Sequence, residues 1–231
     1  MKKIIQGLLL LFFFTSNVPS FAEEVEIRAI VPKPAGDLPK TGQTIQYDSK
    51  PDDGWYQMGN PVTPRFTAGT GAEAGTVTDN ATGLMWEQKT DDGTIHDYND
   101  TATTPPPATK STYTWANAFD VFLNGSLNNP TGNTVLGLNT IKFANHDDWR
   151  IPNAKELESI VRHSGSAPYI DSIFTTSPYY TQSNAYWSST TRIALDTFAY
   201  YVYFYSGTAY VDLKTSAYCV RAVRGGKGGL H

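Results

Sequence analysis

The chain has 231 residues, with 18 basic and 22 acidic side chains for a formal net charge of −4, 13% aromatic residues and a single cysteine. An acidic balance argues against nucleic acid as a partner, because phosphate binding depends on clustered Lys and Arg. One cysteine excludes an internal disulfide framework, so stability has to come from packing.

Residues 1–22 have the layout of a cleavable signal peptide: Lys2 and Lys3, an apolar run from Ile4 to Phe14, and small residues at Ser20 and Ala22 before a predicted cut. The run is too short for a comfortable membrane span, and no later stretch is apolar enough, so the reading is export without membrane insertion, to the periplasm or beyond the cell. Cleavage leaves 16 basic against 22 acidic residues, a net charge of −6. Residues 23–65 read as an arm, since Pro32, Pro34, Pro39, Pro51, Pro61 and Pro64 interrupt any long helix or central strand. Trp55, Tyr56 and Phe66 are costly to leave in water, which predicts that part of the arm lies on the domain.

The main domain is expected over 66–227, followed by a short tail at 228–231. Residues 76–87 predict a hairpin around an Asp-Asn/Gly turn, with Val77, Leu84 and Trp86 in the core. Residues 90–111 show no periodicity and read as a surface loop. There Asp91, Asp92, Asp97, Asn99 and Asp100 supply hard oxygen ligands of the kind calcium takes, although the EF-hand spacing is not met. No other cofactor is expected.

Trp115, Ala118, Phe119, Phe122 and Leu123 form the stripe of an amphipathic helix over 115–124, capped by Thr114. A second helix follows Pro152, with Asn153 and Glu156 placed for a capping box, Leu157, Ile160 and Val161 facing inward, and an end near His163. From Ala185 onward, aromatic and β-branched runs at 186–191, 197–205, 208–213 and 217–224 predict an antiparallel sheet. Two helices followed by hairpin-linked strands define an α+β domain. Cys219, on the last run, reads as a small buried hydrophobe.

Four blocks carry a family resemblance: 76–86 (TVTDNATGLMW), 148–157 (DWRIPNAKEL), 186–189 (YWSS) and 220–226 (VRAVRGG). Together they resemble the DUF1566 family, the C-terminal domain of a bacterial collagen-like adhesin, and 38–44 (LPKTGQT) looks like the leader often seen before it. The resemblance implies a C-type-lectin-like fold, with two helices and a twisted antiparallel sheet, shared with formylglycine-generating enzymes and retroelement variable proteins. It also implies adhesion, described for the family as binding of sulfated polysaccharide. This chain has no Gly-X-Y stretch to drive a collagen trimer, and a charge of −6 works against a polyanionic ligand. In the motif blocks, Trp149 is expected in the core, Arg150 on a carboxylate or carbonyls, Pro152 at the start of the second helix, and Trp187 with its serines at a turn.

The chemistry of a formylglycine-generating enzyme needs two reactive thiols, and the chain has one. GxSxG, HExxH and the phosphate-loop motif are missing as well, and His96, His146, His163 and His231 lack metal-ligand spacing, so no enzymatic activity is expected. Residues 197–205 (TFAYYVYFY) alternate Phe198, Tyr200, Val202 and Phe204 against Tyr201, Tyr203 and Tyr205, with Tyr210 across the hairpin. The first set is assigned to the core. The second is the candidate binding surface, with Arg192 and Asp196 as polar contributors, because tyrosine gives rigid contact area with a polar tip. Retroelement relatives use these strands for ligands, so a glycan or cell-surface protein is the expected partner. The other reading is a structural or assembly module, including a homo-oligomer, that buries the same face.

Overall fold

The computed structural model describes residues 38–90, 95–96, 112–128 and 134–225. Residues 1–22, read above as a signal peptide, the acidic loop proposed for calcium and the tail at 228–231 lie outside the described residues. Architecture is mixed α+β, mostly sheet with few helices.

Three sheets form. Strands β1 (Phe66–Ala68), β2 (Thr76–Asp79), β3 (Leu84–Glu87) and β11 (Val223–Gly225) make one, in the order β1-β2-β3-β11. Strands β4 (Thr112–Tyr113), β7 (Ala185–Arg192), β8 (Leu195–Tyr203), β9 (Thr208–Leu213) and β10 (Tyr218–Cys219) make the second, in the order β4-β10-β7-β8-β9. Strands β5 (Ser126–Asn128) and β6 (Thr134–Leu136) pair as a ribbon. The expected run of antiparallel strands holds for β7-β8-β9, but the last run splits. Its first half, β10, pairs parallel to β7, and its second half, β11, returns to β3. The turn between β2 and β3 works as expected: Asp79 accepts from the Ala81 N–H at 2.9 Å, and Gly83 takes a φ of +75°.

Short helix α1 (Asp53–Tyr56) lies in the N-terminal segment. Helix α2 (Trp115–Asn117) starts at Thr114, whose side chain accepts from the Asn117 N–H, and runs on as a π-helical stretch, Ala118–Leu123. The wider turn corrects the 3.6-residue stripe: Ala118, Phe122 and Leu123 are buried, while Trp115 and Phe119 stay half-buried. Helix α3 (Ala154–Ser159) carries the full capping box between Asn153 and Glu156. It stops at Ser159 instead of His163, because Val161 has left the helix to bridge Ile170.

Two hydrophobic clusters sit on opposite faces of the large sheet. One gathers Met85, Phe122, Trp149, Trp187 and Ala199; the other gathers Trp86, Leu157, Phe174, Tyr186, Val202 and Phe204. The sheet is therefore covered on both faces near its middle, and Ala199 and Val202, on opposite sides of β8, are both fully buried. Indole N–H groups fasten the first cluster, since Trp187 donates to Tyr113 O, Trp115 to Ser188 O and Trp149 to Phe143 O, each at 2.9 Å. Arg150 grips Glu156 with two bonds of 2.7 and 2.6 Å, which fixes the start of α3 against β11.

Residues 38–65 lie against the loop after α3. The Thr41 and Gly42 carbonyls accept from His163 N and Ser164 Oγ, and Arg65 donates to Ser159 O. Phe66 packs edge-on to Phe174 as expected, but Trp55 and Tyr56 are 65% and 57% exposed. Hydrogen bonds to main-chain carbonyls hold this segment in place, so Trp55 and Tyr56 are not its anchors.

Candidate functional site

Register puts aromatic residues in one row across three strands: Trp187 of β7 opposite Tyr201 of β8, opposite Tyr210 of β9. Exposure rises along the row, from a buried Trp187 through a half-buried Tyr201 to Tyr210, which is 46% exposed. Ring centroids are 6.1 Å apart for Trp187–Tyr201 and 5.8 Å for Tyr201–Tyr210, within aromatic contact range. Tyr218 of β10 joins at 4.7 Å from Tyr201, and its hydroxyl donates to Asp212 Oδ2 at 2.5 Å. Beyond the row, Tyr203 and Tyr205 pair at 5.7 Å, and Tyr205 is 60% exposed.

Ionisation states follow from these contacts. The Tyr218 hydroxyl, followed by the Leu213 N–H, holds the Asp212 carboxyl below its ordinary range. Burial and then the Asp212 contact push the Tyr218 hydroxyl up, and burial raises Tyr201. At neutral pH the face therefore offers an ionised carboxylate among protonated phenols: one strong acceptor, several donors and flat rings.

The structure brings together Tyr201 and Tyr210 directly, and Tyr203 with Tyr205. Arg192 and Asp196 are not part of that group. Arg192 pairs with Leu195 at the β7–β8 turn, and Asp196 stands nine positions before Tyr205. At roughly 3.3 Å per strand residue this is about 30 Å. The Arg192 guanidinium stands 6.0 Å over Phe198, which points to the opposite face. On that face, Phe198 and Tyr200 are half-buried and not in the core, and Tyr200 lines a cavity of about 580 Å³ beside α3. Asp212 and Tyr218, which the sequence reading left out, also join this face. Strand alternation from Tyr210 was the signal for Asp212; Tyr218 comes from a separate strand, with no local signal.

A second polar constellation is internal. Glu87, fully buried, bonds Lys89 Nζ at 2.8 Å and lies 2.9 Å from His96 Nδ1, while its other oxygen accepts from the Ala222 N–H. Burial opposes its charge, but Lys89 and His96 outweigh that and hold the carboxyl below its ordinary range. Burial also draws the Lys89 ammonium down, against the pull of Glu87. Arg221, also fully buried, donates to Glu87 O and Thr181 Oγ1, and stacks 5.0 Å from the Phe174 ring. Cys219 is buried as expected, and burial pushes its thiol up to about 12, so it is not a thiolate at neutral pH. Among the described residues, no cluster of three or more His, Cys, Asp or Glu is arranged to hold a metal, and no helix is long and apolar enough to cross a membrane.

The fold and its two constellations are those of a small, mostly-sheet α+β domain. A family model, the Lcl C-terminal domain, matches residues 75–224, and the chain belongs to that family, the DUF1566 type. No curated protein matches the chain.

Proposed function

We propose that the chain is an exported, non-catalytic binding module of C-type-lectin-like architecture, which recognises a glycan or a cell-surface protein through the aromatic face of β8 and β9. The observation that carries this reading is the graded row Trp187–Tyr201–Tyr210 with Tyr205 beyond it. Core packing holds the inner rings rigid while the outer two stay open to solvent. Rigid rings lose little entropy on binding, and Asp212 beside them accepts hydrogen bonds from hydroxyl or amide donors. Two helices against an antiparallel β7-β8-β9 sheet support the architecture.

The test is retention on glycan and cell-surface protein arrays. Wild type should bind, and Tyr205→Ala combined with Tyr210→Ala should lose binding at least tenfold while remaining folded. Retention unchanged in the double variant sinks the reading.

A second reading draws on residues 38–56, where Leu38, Ile45, Tyr47, Trp55 and Tyr56 are all more than half exposed. Such a concentration of apolar surface suits an assembly module packed against another chain. Mass measurement of the mature protein separates the two: a stable homo-oligomer abolished by Trp55→Ala with Tyr56→Ala favours assembly.

A further inference from the structure

A cavity of about 290 Å³ lies where residues 38–65, the chain after α3 and the β8–β9 turn meet, with Tyr47, Arg162, Tyr169 and Ser206 among its walls. Those walls are fastened to one another. His163 N donates to Thr41 O at 3.0 Å and Ser164 Oγ to Gly42 O at 2.7 Å, while Arg162 N donates to Tyr169 O at 3.0 Å and Tyr169 N to Phe204 O at 2.8 Å. The cavity is therefore built into the fold, and its volume stands at the small end of ligand sites, roughly 300–1,000 Å³.

Arg162 sets the chemistry of this cavity. Arg65, Arg150 and Arg224 are each paired with a carboxylate, of Asp79, Glu156 and Asp148 in turn. The half-buried Arg162 side chain makes no hydrogen bond or ion pair among the described residues. Its Nε is buried but its two terminal nitrogens are not, so a molecule in the cavity can reach them. The chain packs closely on this side chain: a Cβ on Gly42 would stand 2.8 Å from Arg162 Cγ, and one on Gly165 would stand 2.6 Å from Nη2. A guanidinium held in this way has little rotamer freedom left to lose on binding. The carboxylate of Asp52 braces the wall instead of pairing with it, accepting from Gln43 Nε2 at 2.9 Å and from Tyr47 N at 2.8 Å.

A guanidinium presents parallel N–H groups in one plane, which match the two oxygens of a carboxylate. Among the lining residues it is the one permanent charge, which balances a monoanion and not a phosphate dianion. Tyr47 and Tyr169 add ring faces, and their hydroxyls have no partner among the described residues. Rings with open hydroxyls suit a hydroxylated sugar. We propose that this cavity binds a hexuronic acid, its carboxylate on the terminal nitrogens of Arg162 and its pyranose ring against Tyr47 and Tyr169. A volume of this size holds one such ring better than an extended chain. The site shares no residue with the tyrosine face and does not depend on it.

Isothermal titration calorimetry of the full mature protein with glucuronate tests it, with the methyl ester of glucuronate, glucose 6-sulfate and glycerate as comparison ligands. Glucuronate should bind roughly tenfold or more tighter than its neutral ester. Arg162→Gln should weaken glucuronate roughly tenfold or more, and Arg162→Lys, which keeps the charge but loses the fork, by a smaller factor. Tyr47→Ala should weaken it roughly fivefold. Near-ultraviolet circular dichroism checks that Arg162→Gln is folded; Tyr47 is 67% exposed, so Tyr47→Ala reads the site even where the arginine variant unfolds. Tyr205→Ala with Tyr210→Ala should leave the glucuronate affinity unchanged, so this site and the tyrosine face fail separately. No binding at millimolar glucuronate, equal binding of the ester, or full affinity in folded Arg162→Gln or in Tyr47→Ala overturns the proposal. Equal binding of glucose 6-sulfate overturns the assignment to a carboxylate, and equal binding of glycerate overturns the assignment to a sugar.

Discussion

The cluster at Glu87 and the face at Tyr201 are both polar and aromatic, yet they use those groups in opposite ways. At Glu87 the charged groups point inward, held by partners both near and far along the chain: Lys89 two residues on, Arg221 and the Ala222 N–H more than a hundred residues on. At Tyr201 the rings rest on a core tryptophan and their outer members face water. A buried charge without its partner is expensive, so the first region ties the two ends of the domain together and tolerates little change. An exposed ring costs little to leave or to alter, so the second can vary with a ligand.

The largest predicted effect breaks the first region. Glu87→Ala leaves Lys89 buried without its carboxylate and removes the acceptor of the Ala222 N–H. It should cost about 3–5 kcal/mol, read as a drop in the urea midpoint. A loss under about 1 kcal/mol would mean that the cluster is solvated in solution. Glu87→Leu combined with Lys89→Met, which replaces the pair by apolar groups of similar volume, should recover most of the loss.

Alkaline titration probes the same region. Burial raises the Cys219 thiol from 9.0 to about 12. The unfolded chain therefore releases this proton first: the stability is fully present below pH 9 and is lost as pH rises toward 12. One proton sets a slope of about 1.4 kcal/mol per pH unit over that window. Burial raises the Tyr186 hydroxyl as well, with the same sign. Urea midpoints from pH 8 to pH 11 should fall in wild type and fall less steeply in Cys219→Ala; parallel slopes would refute the assignment.

What the chain reveals on its own is local. The 76–87 hairpin, the Asn153–Glu156 box and the pairing of Tyr201 with Tyr210 all follow from turn residues, caps and strand alternation within a dozen positions. The partnership of Glu87 with Arg221 has no such signal, because the two residues stand 134 positions apart and meet through the pairing of β11 with β3. The π-helical stretch at Ala118–Leu123 differs from an α-helix only in that its hydrogen bonds reach one residue further, too little for a stripe of five apolar residues to report. Arg192 and Asp196 are a different matter. Strand rise alone puts them far from Tyr205, so their distance was legible in the residue numbers. Tyr218 was not, since it reaches the face from a separate strand.

The smallest predicted effect is the one that best sharpens the contrast. Tyr205 and Tyr210 are the most exposed rings of the face, so Tyr205→Ala with Tyr210→Ala should change stability by no more than about 0.5–1 kcal/mol in total. Tyr201→Ala should cost more, because that ring contacts Trp187 and Tyr218 as well as Tyr210. Thermal melts of the three proteins, run beside the array measurements, separate a face built for contact from one that only completes the fold. In a contact face, the outer pair carries the affinity and the inner ring carries the stability. If the outer pair proves as costly to remove as Tyr201, these tyrosines belong to the fold, and the binding surface has to be sought elsewhere on the domain.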